Sequence, residues 1–235
     1  MTIMRLQKYM SQAWICSRRK AEEYIKLGQV FINDKVAELW QSIDSETDSV
    51  RLWSQAQMKQ QEFVYYVYNK PRGIETTCAQ KWGSSIIDVI DIPERVFPVW
   101  RLDKESTGLI VLSNDGRMTN YLTHPRYWHE KEYVVETFGS LGDEQLESMR
   151  HWVDIEWYVT KDCHVERIAA WKFSIVLTEW KNRQIRRMVE SVGSKVKKLK
   201  RIRVENLKLW TLVEWEYRKF KNSEKDQLFK KLWIK

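Results

Sequence analysis

The sequence predicts an α+β protein in two parts, and three observations support this prediction. Residues 1–55 form a compact, basic segment that mixes helical and hairpin patterns. Residues 56–62 are polar and lack apolar periodicity, which is typical of a linker. In residues 63–235 strand patterns far outnumber strong helical ones, which favours a mixed, mostly antiparallel sheet with flanking helices. At 235 residues the chain is long enough to bury a core in each part.

The N-terminal segment contains one predicted helix followed by one predicted hairpin. Ser17 is the expected N-cap of the helix SRRKAEEYIKLG, and Gly28 is its expected stop. The stretch QVFINDKVAEL alternates around an Asn-Asp turn, which predicts a hairpin. Basic residues crowd onto the helical part, namely Arg5, Lys8, Arg18, Arg19 and Lys20. This clustering favours contact with phosphates over a merely solvated helix face.

Four strands and one helix are predicted in the larger part. The strand patterns are FVYYVYNKPRG, GLIVLSNDG, EKEYVVETF and WKFSIVLTE, of which the second is expected to close in an Asp-Gly turn. The segment RQIRRMVESVG has apolar residues at helical spacing and a glycine just past its end, so it predicts a helix.

Charge and cysteine usage limit the classes of function. The chain has 40 Lys and Arg against 32 Asp and Glu, a net charge of +8, which favours a polyanionic partner. Its three cysteines lie far apart in the sequence and predict neither a disulfide framework nor a zinc site. We find neither a signal-peptide pattern nor an apolar run long enough to span a bilayer, so we expect a cytoplasmic protein that does not bind membranes.

One segment carries both a candidate catalytic group and a family resemblance. On residue type alone, Asp103 in RLDKESTG is more simply a turn residue than a catalytic acid. However, WRLDKESTGLI at 100–110 resembles the G-R-L-D-x-x-[ST]-x-G-L-[IL] hallmark of one branch of the ribosomal pseudouridine synthases. This branch comprises the A type of the small ribosomal subunit, together with the B, E and F types of the large one. The similarity continues through NKPRG, SNDG, LTHPR, EKEYVV, KNRQIRRM and KKLKRIRV, and it is strongest to the F type. Residues 5–34 resemble the S4 RNA-binding module that this branch carries.

The resemblance implies an enzyme that isomerises specific uridines of ribosomal RNA, and 23S rRNA is the expected target. Asp103 matches the catalytic carboxylate, Tyr133 the tyrosine that stacks on the flipped uracil, and Arg186 the arginine that pairs with Asp103. Arg101 is expected in the space that the flipped base vacates, and Arg183 and Arg187 on phosphates. Because the reaction gains no atoms and no electrons, we expect neither a metal nor a small-molecule cofactor. We also expect a monomer.

Two other classes of function were weighed. A catalytically silent RNA-binding or ribosome-assembly factor could keep the S4 module, but an altered Asp103 or Tyr133 would then be expected, and both are present. A nuclease or deaminase of RNA would need a metal cluster or an H-x-E and C-x-x-C zinc pattern. The sequence contains neither pattern.

Tryptophan is anomalous, with 13 copies against only 8 glycines. Trp100 and Trp180 stand where the family motifs have glycine, and Trp14 does so in the S4 pattern. The other positions where glycine is usual or reasonable are Trp40, Trp53, Trp128, Trp152, Trp157, Trp171, Trp210 and Trp215. We therefore hypothesise that the gene uses UGA for glycine, because tight turns and close backbone approaches need a residue without a Cβ. The competing hypothesis is a truly tryptophan-rich protein whose indoles stack on RNA bases.

Overall fold

The computed structural model describes residues 3–13, 15–53, 62–78, 84–123 and 128–232. By its internal contacts the chain divides into two units, Met1–Phe63 and Val64–Lys235. The linker predicted at 56–62 lies outside the described residues, apart from Glu62. Among the described helices, none is long and apolar enough to cross a membrane.

The first unit packs two helices with short strands around a small apolar core. Its elements are β1 (Ile3–Arg5), α1 (Leu6–Gln12), α2 (Arg18–Lys26), β2 (Val30–Ile32), β3 (Lys35–Val36), β4 (Ser42–Asp44) and β5 (Val50–Leu52). Strands β1 and β4 pair with each other, and β3, β2 and β5 form a three-stranded sheet. Leu6, Met10, Ala21 and Ile25 bring the buried faces of both helices into one core with Val30.

The predicted helix and hairpin of this unit are both present. The Ser17 hydroxyl accepts a hydrogen bond from the Lys20 amide at 3.3 Å, which caps α2, and Gly28 follows the helix with a φ of +65°. Asn33 and Asp34 have φ values of 47° and 66°, the left-handed pair that a two-residue turn between β2 and β3 requires.

The second unit is built on one large sheet with helices against it. Its elements are β6 (Tyr65–Lys70), α3 (Ile86–Val89), β7 (Phe97–Pro98), β8 (Thr107–Ser113), α4 (Gly116–Thr123), β9 (Lys131–Thr137), α5 (Asp143–Arg150), β10 (His164–Ala169), β11 (Lys172–Leu177), α6 (Gln184–Ser191), β12 (Val196–Val204), β13 (Leu207–Lys208), β14 (Tyr217–Lys219) and α7 (Asn222–Leu232). The strands run in the order β10-β11-β9-β12-β8-β6-β14, with β7 beside β8 and β13 beside β12. Only the β12–β8 pair among these described strands is parallel. The prediction of a mixed, mostly antiparallel sheet is confirmed.

The four predicted strands and the helix of this unit correspond to β6, β8, β9, β11 and α6. The Asp-Gly turn expected after β8 is wrong, because Gly116 instead begins α4. The Asp115 carboxylate accepts a hydrogen bond from the Arg117 amide at 3.0 Å and so satisfies a free donor of the first helical turn. Asp-Gly pairs often form tight turns after strands, but the pair Asp115-Gly116 starts a helix here.

Candidate active site

A small cavity of about 40 Å³ brings together side chains that are far apart in the sequence. It lies between the loop that precedes β8, the middle of β9, the segment from Leu177 to Ile185, and β12. Arg101, Asp103, Tyr133 and Arg183 all line it. Four of the residues selected from the sequence thus meet at one place, although they come from three separate segments of the second unit.

Hydrogen bonds to its backbone fix the loop that carries Asp103. The Thr76 hydroxyl accepts from the Leu102 amide at 3.2 Å and donates to the Leu102 carbonyl at 2.9 Å. The Asp103 carbonyl accepts from the Ser106 amide at 3.0 Å, which closes a tight turn just before β8. The Asp103 side chain remains 36% exposed, so its carboxylate faces the cavity while its backbone is held.

Lys70 also holds this loop in place, and no role was predicted for it from the sequence. Its ammonium is fully buried and donates to the carbonyls of Pro71 at 2.9 Å, Ile74 at 2.8 Å and Lys104 at 3.4 Å. Burial lowers the pKa of Lys70 to about 8, against the opposing attraction of Asp103 and Glu105. Lys70 therefore joins the end of β6 to the Asp103 loop. Its place in the NKPRG motif is the sequence feature that could have indicated this role.

The arginine nearest to Asp103 is Arg183, which corrects the expected pairing. Its Nη1 lies 3.9 Å from Asp103 Oδ2, whereas no ion pair among the described residues joins Arg186 to Asp103. Arg186 is buried, and its Nη2 lies 3.5 Å from the Ser106 hydroxyl, within the turn that presents Asp103. Burial and the neighbouring Arg183 lower the pKa of Arg186, and the attraction of Asp103 opposes them. Both guanidinium groups therefore act on the carboxylate, Arg183 at shorter range.

Tyr133 lies in the wall of the cavity. It is only 4% exposed, and β9 places it beside Ile175 of β11 on one side and Arg201 of β12 on the other. Apolar side chains of Leu177, Ile185 and Leu199 complete this wall. A flat apolar surface next to a carboxylate is suited to holding a planar base against its reacting partner.

One tryptophan lines this cavity, and a second stands next to the loop that carries Asp103. Trp180 lines the cavity although its side chain is 60% exposed. The Trp100 ring precedes the Asp103 loop, 5.8 Å from the His129 ring and 5.8 Å from the Lys131 ammonium. With the Trp180 indole in its wall, the cavity measures only about 40 Å³.

The remaining sequence-selected residues lie outside the cavity. Arg187 is half-buried on α6, with its Nη1 3.7 Å from a Glu156 carboxylate oxygen. The five basic residues selected in the first unit are Arg5, Lys8, Arg18, Arg19 and Lys20, and all of them are exposed. Lys20 is paired with Glu23 at 2.7 Å, so it is less available to a phosphate than Arg18 and Arg19.

Within the described ranges, no group of three or more His, Cys, Asp and Glu side chains is arranged to hold a metal ion. The reactive group that the cavity offers is the carboxylate of Asp103, with the Arg183 guanidinium 3.9 Å away.

Comparison with known proteins gives consistent matches. The family model for RNA pseudouridylate synthase matches residues 64–191, and the S4 domain model matches residues 4–39. The dual-specificity RNA pseudouridine synthase RluF of Escherichia coli O6:H1 is 39% identical over 97% of this chain and 79% of its own length. The ribosomal large subunit pseudouridine synthase B of Bacillus subtilis is 34% identical over 84% of both chains. A crystal structure of a pseudouridylate synthase superposes with a TM-score of 0.68 at 25% identity, over 96% of this chain and 99% of that one.

Proposed function

Because this chain belongs to the RNA pseudouridylate synthase family and carries an S4 domain, we propose that it isomerises one or a few uridines of large-subunit ribosomal RNA to pseudouridine. The observation that carries the activity is the placement of Asp103 and Tyr133 in one cavity. The choice of ribosomal RNA is supported by the B-type relative, whose name specifies the large ribosomal subunit.

The reaction exchanges one bond of the nucleotide for another. The bond from the ribose C1′ to uracil N1 breaks, the base turns, a bond from C1′ to C5 forms, and the C5 proton leaves as N1 gains one. No co-reactant is consumed. The Asp103 carboxylate either attacks C1′ or removes the C2′ proton, and both routes require it to be ionised and oriented. The Arg183 guanidinium lies 3.9 Å from this carboxylate, and Arg186 contacts the Ser106 hydroxyl in the turn that presents it.

Uridine must leave the RNA stack before it can reach Asp103, which costs a few kcal/mol. We assign Tyr133 to stack on the flipped uracil and to lie near its C5 proton, because its side chain lines the same cavity as Asp103. Arg101 is exposed at the start of the same loop, where its side chain can fill the space that the base leaves. Stacking and gap filling together offset the cost of flipping.

Arg186 is assigned to the catalytic group together with Asp103 and Tyr133, although it acts through the Ser106 turn in the free protein. Arg183 and Arg187 are assigned to phosphates of the bound RNA. Arg183 can pair with Asp103 and also contact a phosphate, because its guanidinium lies 3.9 Å from the carboxylate and is half-exposed.

The alternative is a silent RNA-binding factor that retains the fold for assembly purposes. Such a factor has no need of a loop that Thr76 and Lys70 fix through its backbone and that presents the Asp103 carboxylate to Arg183. The retention of this arrangement favours catalysis.

Mapping pseudouridines in ribosomal and transfer RNA, with and without the gene, tests the proposal. Loss of at least one large-subunit pseudouridine is the expected result, and an unchanged map would refute the proposed activity.

The S4 domain is expected to contribute salt-dependent affinity. Replacing Arg18 and Arg19 by glutamine removes two exposed charges that make no ion pair among the described residues, so the slope of log K against log salt should fall by about 1.5 to 2. Arg51→Gln is the matched control in the same unit, because Arg51 is already paired with Asp34 at 3.1 Å. Filter-binding titrations over a range of salt measure both slopes. An unchanged slope in the double variant would show that α2 does not contact phosphate.

A further inference from the structure

We propose that the native chain carries glycine at the eleven tryptophan positions that the sequence identifies as anomalous. Ten of these positions lie within the described residues, and Trp14 lies outside them. The backbone gives evidence that is independent of composition. Trp40, Trp128, Trp210 and Trp215 have φ values of 70°, 46°, 52° and 75°. This region is adopted by a few per cent of non-glycine residues, mostly Asn and Asp, and a bulky residue there is an outlier.

Burial does not explain these side chains either. Of the ten tryptophans that the structure describes, nine are exposed, with relative exposures from 47% at Trp171 to 74% at Trp53. Tryptophan is normally buried over most of its surface. These indoles therefore contribute little to the core, and four of the ten stand at left-handed positions where glycine would satisfy the backbone.

The active site provides the functional consequence. Trp180 lines the cavity beside Asp103, and Trp100 directly precedes the Asp103 loop. Glycine at position 180 removes an indole from the wall of the cavity, and glycine at position 100 removes one from the residue that precedes the Asp103 loop. We expect the cavity of about 40 Å³ to widen when the Trp180 indole is absent, which favours entry of a planar base.

Base stacking by real indoles is the rival explanation. Some rings do lie under cations, for example Trp128 under the Lys161 ammonium at 3.0 Å and Trp157 under the Arg187 guanidinium at 5.4 Å. However, stacking requires an exposed ring and not a left-handed backbone. The rival accounts for the exposure and leaves the four positive φ values without a cause.

Peptide mass spectrometry of the protein purified from its native source tests the inference directly. Glycine masses are expected at the eleven positions, with UGA at those codons and UGG at any true tryptophan codon. This readout does not depend on catalysis, so it is separate from any failure of the proposed function. Tryptophan masses at positions 100 and 180 would overturn the inference.

Matched variants test the backbone argument in the recombinant chain. Replacing Trp40, Trp128, Trp210 and Trp215 together by glycine should give a Tm about 10 °C above that of the corresponding alanine variant, since only alanine keeps the left-handed strain. Glycine and alanine at Trp152 and Trp171, which do not have positive φ, form the control pair, and there glycine should not be the more stable. Equal melting of the glycine and alanine variants at the first four sites would contradict the inference.

Arg201 carries a second inference, from a different observation. Its side chain is 1% exposed, and its Nε donates to the Leu109 carbonyl at 2.8 Å. Its Nη1 lies 3.4 Å from the Arg101 carbonyl, in the loop that leads to Asp103. Burial lowers the pKa of Arg201, and interaction with the Tyr133 phenol opposes this. Arg201 therefore contacts the first residue of the catalytic loop and lies directly opposite the tyrosine of the cavity wall in the β12–β9 pairing.

We infer that Arg201 is a positioning residue that fixes Tyr133 relative to Asp103. This inference rests on the proposed role of Tyr133. Arg201→Lys keeps the charge but loses the planar fork, so kcat should fall at least tenfold with KM within about twofold. Arg203→Lys is the matched control on the same strand, where the partly exposed guanidinium pairs with Glu130 and Glu132, and its kcat should remain unchanged.

A double-mutant cycle with Tyr133→Phe shows whether Arg201 acts through Tyr133. Non-additive effects of Arg201→Lys and Tyr133→Phe on kcat are expected, because one residue positions the other. Additive effects, or an Arg201→Lys variant with the wild-type kcat, would refute the positioning role. A Tyr133→Phe variant without any loss would instead refute the assignment of Tyr133, which keeps the two failures apart.

Discussion

Replacing Asp103 by asparagine or alanine is expected to abolish pseudouridine formation, with kcat reduced at least about 10⁴-fold. Asparagine nearly preserves the shape of the side chain but supplies neither a nucleophile nor a base. RNA affinity should change less than about threefold, because phosphate contacts supply most of it. Single-turnover conversion of a uridine-containing RNA, together with binding measurements, checks both expectations against the native protein.

Glu105 provides the control for this experiment. It lies two residues from Asp103 in the same loop, and its exposed carboxylate is paired with Arg72. The Arg72 guanidinium lowers the pKa of Glu105, so the control removes a charge that is ionised at neutral pH. Glu105→Gln should keep most of the activity. Native turnover from Asp103→Ala, or equal losses from the Asp103 and Glu105 variants, would exclude Asp103 as the reactive carboxylate.

Periodicity and turn residues were sufficient to predict most of the fold. The α2 helix follows from Ser17 and Gly28, the β2–β3 hairpin from its Asn-Asp pair, and the strands β6, β8, β9 and β11 from β-branched and aromatic runs. These features are local, so the sequence contains their causes. The Asp115-Gly116 pair was misinterpreted because the same two residues can close a hairpin or start a helix, and only the rest of the unit decides between them.

The candidate site was predictable only where a motif marked it. Asp103 and Tyr133 were selected by resemblance, and the structure places both in one cavity. Which arginine faces Asp103 was not predictable, because neighbouring helical residues point about 100° apart and α6 begins only at Gln184. Arg183 precedes the helix with a φ of 52°, and its guanidinium lies 3.9 Å from the carboxylate.

The buried cations were missed for a related reason. Lys70 and Arg201 look in the sequence like ordinary basic residues of a basic protein, yet both are fully buried beneath the site. Their partners are mainly backbone carbonyls, which every sequence offers and no motif specifies. Tertiary contacts alone convert these charges into supports for the catalytic loop.

Gly108 is the position where a single methyl group is expected to be most damaging to stability. It lies in β8 at the parallel contact with β12, with a φ of +107°, and a Cβ there would stand 2.2 Å from the Arg201 carbonyl oxygen and 2.7 Å from the Arg201 nitrogen. Both atoms belong to backbone inside the sheet, so neither can move without breaking the β8–β12 pairing. Gly108→Ala should therefore cost more than about 4 kcal/mol of unfolding free energy.

Two other glycines separate the causes of this loss. Gly73 has a φ of +88° and, among the described residues, no atom within 4 Å of the place a Cβ would take, so Gly73→Ala should show only the backbone strain, about 1–2 kcal/mol. Gly139 has neither a positive φ nor a described neighbour within 4 Å, so Gly139→Ala should be nearly neutral. Urea denaturation of the full chain, followed by circular dichroism, ranks the three variants. If Gly108→Ala unfolded at the same urea concentration as Gly73→Ala, the close contact between Gly108 and the Arg201 backbone would not contribute to the loss of stability. That outcome would contradict the prediction.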